Sequence, residues 1–384
     1  MVNGFLKLGI VILIVGSLVL PFAKTIPRQD LPTQALEPEF HLTILFVGDV
    51  MQHKPQIDAA WNPVTNTYDY DSCFVFVKEF ISSFDLAIAN LEVTLGGPPY
   101  SGYPQFSAPD PLAVALKNAG FDILATANNH SCDRNRKGIE RTIAVLDSLN
   151  IPHFGTYINA DQRKATYPLI VNSNGIRLAL LNYTYGTNGL NVPEPNIVND
   201  IDSSLMASDL KAAKDSAVDK IIVFIHWGDE YQSHPNEWQQ EIASFLFANG
   251  ADIIIGSHPH VLQRMERKFY PDSSGREVIL VYSLGNYISN QRDRGRDGGA
   301  SITFELTKKN GKTEIGWTNY YLNWVWIPQK NGARKYFVVP VDNPQEAIKS
   351  MDATSLEKFN TFVSDSRKLY GENNLSVPEG KSPF

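Results

Sequence analysis

Short unbroken runs of β-branched and aliphatic residues alternate along the chain with stretches whose apolar positions recur every three to four residues. Residues 42–47, 86–89, 121–125, 178–181, 220–225, 252–255 and 278–282 are such runs. Apolar residues follow one another there without helical spacing, the pattern of strands buried on both faces. Between them the chain predicts helices. Residues 111–118 open with Asp110 and then Pro111 in the first turn, and close before Gly120. Residues 137–149, 204–216 and 237–249 follow similar rules, the last ending at Gly250. Strands alternating with helices predict an α/β layered domain. There is no internal repeat and no second boundary before about Pro340. Beyond it, residues 353–370 predict one amphipathic helix and the polar end a loose tail.

The N-terminus predicts export. Lys7 precedes an apolar run over residues 8–20, followed by Pro21-Phe22-Ala23. The run is shorter than a membrane span of about 20 residues, which favours a signal peptide. Pro21 and Ala23 make a poor small-x-small cleavage site, so an uncleaved membrane anchor stays open. The expected organisation is a signal peptide or anchor over 1–23, a linker over 24–41, one domain over 42–345, and a C-terminal helix with its tail over 346–384. The expected location is the cell envelope, either membrane-anchored or free in the periplasmic or extracellular space.

Composition narrows the function. With 43% apolar and 20% charged residues, the chain can bury a large core and is neither disordered nor fibrous. A net charge of -7, from 34 basic and 41 acidic residues, lacks the basic stripe of a nucleic-acid binder. Cys73 and Cys132 are too few for a disulfide framework or a cysteine zinc module, although they leave room for one disulfide outside the cytosol. There is no Gly-x-Ser-x-Gly elbow, Walker loop or dinucleotide fingerprint. Any metal must be held by His, Asp, Glu or Asn.

Those residue types stand at the strand ends. Asp49 follows the first strand, Asn90 and Glu92 the second, Asn128-Asn129-His130 the third, His226 the fifth, and His258 with His260 the sixth. Ligands of open α/β sheets bind beyond the carboxyl ends of the strands, so these side chains should converge. Alone, Asp49 reads as a helix cap and Asn90 and Glu92 as loop polars. Gly256-Ser257-His258-Pro259-His260 is the strongest local signal, because proline fixes the backbone between two imidazoles and glycine permits close approach. Carboxylates, an amide and imidazoles suit Mn, Fe or Zn, with donors enough for two ions sharing a carboxylate. Such a pair lowers the pKa of a bound water toward about 7, and a further imidazole protonates the leaving group.

Gly48-Asp49-Val50-Met51, Asn90-Leu91-Glu92, Ala127-Asn128-Asn129-His130 with Asp133 and Gly138, His226-Trp227-Gly228, Gly256-Ser257-His258-Pro259-His260 and Ser283-Leu284-Gly285-Asn286 occur in that order. Together they resemble the bacterial capsule-synthesis protein CapA family (poly-γ-glutamate capsule, PgsA-like), over roughly residues 42–290. That family is similar in fold to the calcineurin-like metallophosphoesterases, which implies a four-layer α-β-β-α sandwich. The resemblance implies an envelope protein supporting synthesis or export of an anionic polymer, with one or two divalent ions as cofactor. It assigns Asp49, Glu92 (the bridging carboxylate), Asn129, His226, His258 and His260 to metal, and His130 to proton donation. Met51 stands where the phosphoesterases usually carry a histidine, which leaves one ion an imidazole short. Asn135 stands where glycine is common and also tolerates positive φ.

Asp133 is expected to orient His130 or cap the helix after it rather than bind metal. Asn90, Asn128, Asn286, Arg292 and Arg294 are candidates for contact with an anionic substrate. Alternation of Arg292, Arg294 and Arg296 with Asp293 and Asp297 reads equally as a solvated loop. Trp227, Glu230 and Tyr231 follow His226 and could line the substrate site, with burial the default for the aromatics. Cys132 reads as a small filler. Two functions stay open: a metal-dependent hydrolase of phosphoester or amide bonds, and a non-catalytic polymer-binding or scaffolding subunit beside membrane synthase partners. No nucleic acid is expected.

Overall fold

The computed structural model describes residues 38–330 and 332–381. The expected signal peptide or anchor over 1–23, and the linker up to residue 37, lie outside the described residues. The rest is one unit built on two sheets. The first uses β1 (Phe40–Val50), β2 (Leu86–Leu91), β3 (Ile123–Ala125) and β4 (His153–Phe154), all parallel. The second has a parallel core of β6 (Ile176–Thr184), β7 (Lys220–His226), β8 (Ile253–Ser257) and β10 (Glu277–Val281), with β5 (Leu169–Ser173) and β9 (Met265–Phe269) antiparallel at its edges. The first sheet continues past β1 through β11 (Asn286–Ile288), β12 (Gly298–Lys309), β13 (Lys312–Trp326) and β14 (Phe337–Pro340), in the order β14-β13-β12-β1-β2-β3-β4 with β11 also on β1.

Because successive strand side chains point to opposite faces, each apolar run feeds two cores. Leu42, Ile44 and Phe46 of β1 meet Leu178, Leu180, Ile222 and Phe224 of the second sheet between the sheets. Leu45 and Val47 point outward onto α2 (Pro111–Ala119), reached after α1 (Lys54–Ala60), and onto Leu146 of α3 (Asn135–Ser148). Ala179, Leu181, Val223 and Ile254 likewise face α4 (Ser203–Asp215) and α5 (Glu237–Ala248). The layers run helix, sheet, sheet, helix, the expected four-layer α-β-β-α sandwich. Phe46 and Phe224 bridge the sheets with ring centroids 5.9 Å apart, and each such buried side chain contributes about 1.5–3 kcal/mol.

The inner face of β13 extends past the second sheet, and α6 (Ala353–Asn373) covers it, Phe359 packing edge-on against Trp324 and Tyr370 against Tyr320. The polar end beyond this helix is not loose through residue 381, as expected from its composition, but tied by its backbone. Leu375 donates to Met265 and accepts from Arg267, and Gly380 donates to Tyr320, each at 2.8 Å. Cys73 and Cys132 are buried and free. Among the described residues no helix is long and apolar enough to cross a membrane.

Candidate metal centre

The carboxyl ends of the two sheets point the same side chains together. On β1 the register with β2 shifts between Val47 and Asp49, a bulge that takes up Gly48 and re-aims the aspartate. A Cβ on Gly48 would lie 2.0 Å from the Gly285 carbonyl oxygen. Asn90, at the matching end of β2, donates from Nδ2 to Asp49 Oδ1 at 2.8 Å. Asn128 donates in turn to Asn90 Oδ1 at 3.2 Å and to the Leu91 carbonyl at 2.9 Å. Asn90 and Asn128, considered for substrate contact, thus form an amide chain that fixes Asp49 and the loop bearing Glu92.

From the second sheet, His226 ends β7 with Nδ1 2.8 Å from Ser257 Oγ, which leaves Nε2 facing Asn129 Oδ1 at 3.0 Å and Glu92 Oε1 at 3.6 Å. His260 Nδ1 lies 3.1 Å from both Asp49 Oδ2 and Asn286 Oδ1, and its Nε2 lies 3.7 Å from Glu92 Oε1. His258 and His260 have φ of 102° and 57°, a left-handed backbone that costs such residues of order 1–3 kcal/mol each and is held only where the surroundings over-determine it. Gly256 is part of that constraint, since a Cβ there would lie 2.1 Å from the Tyr282 carbonyl oxygen.

The electrostatics match a cation site. Asp49, Glu92 and His226 are fully buried, yet neither oxygen of Glu92 nor Nδ1 of His258 has a hydrogen-bond partner. Buried polar atoms are rarely left so. Burial, then the neighbouring Asp49 charge, pushes the Glu92 carboxyl well above its ordinary range. Burial works on Asp49 in the same direction, but hydrogen bonding and charge from His260, with His226 and the Asn90 amide, hold it below. Burial keeps His226 and His258 neutral, His258 pushed down to about 3. Neutral imidazoles and carboxylates are the forms a metal takes. Among the described residues the donor atoms fall into overlapping groups, Asp49-Glu92-His260, Glu92-His226-His258 and Glu230-His258-His260, each within 4.8 Å. Glu92 is common to the first two, as a bridging carboxylate would be, and the set fits one or two divalent ions.

His130 stands beside this centre. Asp133 Oδ2 lies 2.7 Å from its Nδ1 and accepts from the Phe106 amide at 2.6 Å. The helix that follows begins without a side-chain cap, so Asp133 positions the imidazole rather than capping. Phe106 packs edge-on against His130 at 4.5 Å and against His53 at 5.3 Å, which brings in a histidine with no motif context. Met51 is buried in the apolar core that also takes the inner face of α2.

Two candidates do not reach the site. Arg292 donates to the Val325 carbonyl and lies over the Trp324 ring, and Arg294 pairs with Asp365 of α6 at 2.6 Å. Arg292 is thus held by a backbone carbonyl and an indole ring, with Asp297 3.9 Å away, and Arg294 by an acid of α6. Arg296 of the same loop lies 3.4 Å over the Tyr231 ring, which is 6.2 Å from His260. Ser257, Tyr185 and Asn188 were not singled out by sequence. Ser257 stands inside the strongest motif, whereas Tyr185, with its ring 4.5 Å from His258, and Asn188, which accepts from Asn129 at 3.2 Å, come from a loop with no pattern.

The bacterial capsule synthesis protein PGA_cap family matches residues 43–291 of the chain. The chain belongs to this family. Within it, the chain is similar to the "PGA biosynthesis protein CapA" of Bacillus subtilis (strain 168), 30% identical over 358 residues that cover 89% of this chain and 82% of the relative. It is also similar to the "Capsule biosynthesis protein CapA" of Bacillus anthracis, 29% identical over 296 residues, 73% of this chain and 68% of the relative. Among solved structures it is similar to the calcineurin-like phosphoesterase YfkN from Bacillus subtilis, with a TM-score of 0.45 and 14% identity, covering 86% of this chain and 99% of that one. The span shared with the PGA_cap family contains every donor described above and stops short of Arg292.

Proposed function

We propose that this PGA_cap family member is a metal-dependent hydrolase acting in capsule polymer assembly or export at the cell envelope, with an anionic polymer such as poly-γ-glutamate, or a phosphoester intermediate of its synthesis, as substrate. The observation that carries this reading is Glu92: a fully buried carboxylate with both oxygens unpartnered, shared by two groups of donors. The names of the relatives support the biological setting.

Asp49, Glu92 and His260 would hold one ion, and Glu92, Asn129, His226 and His258 the other. Bound there, divalent ions supply a water acidic enough to attack at neutral pH and positive charge for the oxygens of the reacting centre. The chain supplies the rest. Ser257 and Asn90 fix the rings and carboxylate that face the centre. Asp133 accepts from His130 Nδ1, so the proton given to a leaving oxygen is the one on Nε2. A phosphoester or amide bond would thereby be cleaved with water added across it, the hydroxyl to the electrophile and the proton to the leaving oxygen or nitrogen.

The test is metal content of the purified full-length chain by elemental analysis, with hydrolysis of a generic phosphodiester in added Mn2+, for wild type and His260→Ala. About two ions per chain and turnover lost in the variant are expected for a shared-carboxylate site. A well-folded chain with no metal and no turnover would overturn the hydrolase and favour a polymer-binding subunit of a membrane complex.

A further inference from the structure

Met51 leaves the position served by Asp49, Glu92 and His260 one donor short, and its side chain is packed into the core. The second sheet brings another carboxylate up to His260, the member that this group shares with the group of Glu230 and His258. Glu230 lies four residues past His226, in the loop that leaves β7, and its Oε1 is 4.0 Å from His260 Nε2, the nitrogen that also faces Glu92. With His258 and His260 it forms a group of donors within 4.8 Å. We propose that Glu230 is the metal ligand that replaces the missing first-motif imidazole. This rests on the metal-site reading above and deepens it.

Three observations carry the assignment. The loop bearing Glu230 is clipped to the loop bearing the two histidines by its backbone: Trp227 donates to the Ser257 carbonyl at 3.1 Å and Tyr231 to the Pro259 carbonyl at 2.8 Å. Glu230 and His260 are therefore held together by the fold, whatever their side chains do. Tyr231 has a φ of 68°, an unfavourable conformation for an aromatic residue that turns the chain just after the carboxylate. Finally, Glu230 adds a third carboxylate to Asp49 and Glu92, and its only ion pair among the described residues is with His260. Like charges so gathered call for a cation.

The substitution changes the chemistry of that position. Asp49, Glu92, Glu230 and His260 offer three oxygens and one nitrogen, whereas the usual pattern offers two of each. Oxygen-rich sets favour harder ions, so this position prefers Mn2+ over Zn2+ more strongly than the position with two imidazoles, His226 and His258. It also carries one more negative charge, which leaves the loaded centre less positive, on a side chain that is itself 44% exposed.

Mn2+ titration of chelated full-length protein, followed by calorimetry and electron paramagnetic resonance, tests this without reference to turnover. Wild type is expected to take up two ions with a spin-coupled spectrum, because both share Glu92. Glu230→Gln, exposed enough to fold, is expected to keep one ion with an uncoupled six-line spectrum and to bind the second at least ~10-fold more weakly. Glu230→His, which returns an imidazole, is expected to take up two ions and to shift the second toward Zn2+. Asn129→Ala should weaken the other ion instead. Two ions bound by Glu230→Gln within about twofold of wild type would overturn the assignment while leaving the metal centre intact. A wild-type chain that binds no Mn2+ would remove the metal centre itself, so the two failures are told apart.

Discussion

Glu92→Gln is the most informative single substitution, because the same carboxylate has opposite effects with and without metal. In chelated protein Glu92 is fully buried, its oxygens have no hydrogen-bond partner, and the imidazole Nε2 atoms of His226 and His260 lie 3.6 and 3.7 Å from Oε1. Burial and the Asp49 charge raise its pKa well above 4.5. The folded chain therefore keeps a proton that the unfolded chain releases as the pH rises past about 4.5, so stability is lost with rising pH until Glu92 ionises in the folded state. The buried His226 and His258 act with the opposite sign. Both are held below 6.5 in the folded chain, so the unfolded chain binds their protons below that pH, and their contribution rises with pH and is complete above 6.5. The histidine contributions are shared by wild type and Glu92→Gln, so comparing the two isolates the Glu92 slope. One proton of difference is worth roughly 1 kcal/mol per pH unit, and for a domain of this size 1 kcal/mol moves Tm by about 1–2 °C.

Thermal melts in chelator at about pH 5 and pH 6, just above the unfolded carboxyl value, should therefore show the Tm of wild type falling behind that of Glu92→Gln by about 1–2 °C across that unit. Carboxyls common to both proteins cancel in the comparison. Saturating Mn2+ should reverse the order. Binding at a hundredfold excess over Kd stabilises wild type by about 2.7 kcal/mol per site, whereas the variant, lacking the shared carboxylate, should gain little. Parallel pH slopes for the two proteins, or equal Mn2+ shifts, would refute both the buried-charge argument and the bridging role.

Two further outcomes follow from the surrounding structure. Gly256→Ala would place a Cβ 2.1 Å from the Tyr282 carbonyl oxygen and 2.5 Å from Trp227 Nε1, across a hydrogen bond of 2.9 Å between those two groups; urea unfolding should show a loss of about 1–3 kcal/mol, and an unchanged midpoint would contradict it. Ser257→Ala removes the hydroxyl that orients His226, so Mn2+ affinity measured by calorimetry should fall about 10–100-fold with little change in melting temperature; wild-type affinity would mean that Asn129 and Glu92 suffice to hold the ring.

The strands and helices that carry the centre were legible because burial on both faces leaves little choice of residue: β7 is apolar from Ile221 up to the His226 that ends it, and β8 from Ile253 up to the Gly256-Ser257 that precedes His258. The antiparallel extension was not legible. β13 is the longest strand among the described residues, but as far as Tyr321 its buried positions are interspersed with half-buried and exposed ones, and Gly298-Gly299 at the start of β12 reads as a loop rather than as the close crossing beneath Asn286 that it is. The arginines of 292–296 misled for a related reason. A charged loop beside a site reads the same whether its partners are a ligand or its own acids, and only the position of Asp365 on α6 decides it for Arg294.

The same limit explains the one donor missing from the sequence pattern. A motif records ligands that share a strand end, so the loss of an imidazole at Met51 looks like the loss of a ligand. Position 51 lies past the end of β1 in the first sheet and position 230 lies past β7 in the second, and no spacing rule links them. Their equivalence exists only where the carboxyl ends of both sheets face one centre, with Trp227 and Tyr231 hydrogen-bonded to the histidine loop. A compensating ligand is free to arise on any strand end that reaches that centre. The unit to read for metal occupancy is therefore the rim of the sandwich, and the oxygen that Glu230 brings there would alter the preference of the site without altering its fold.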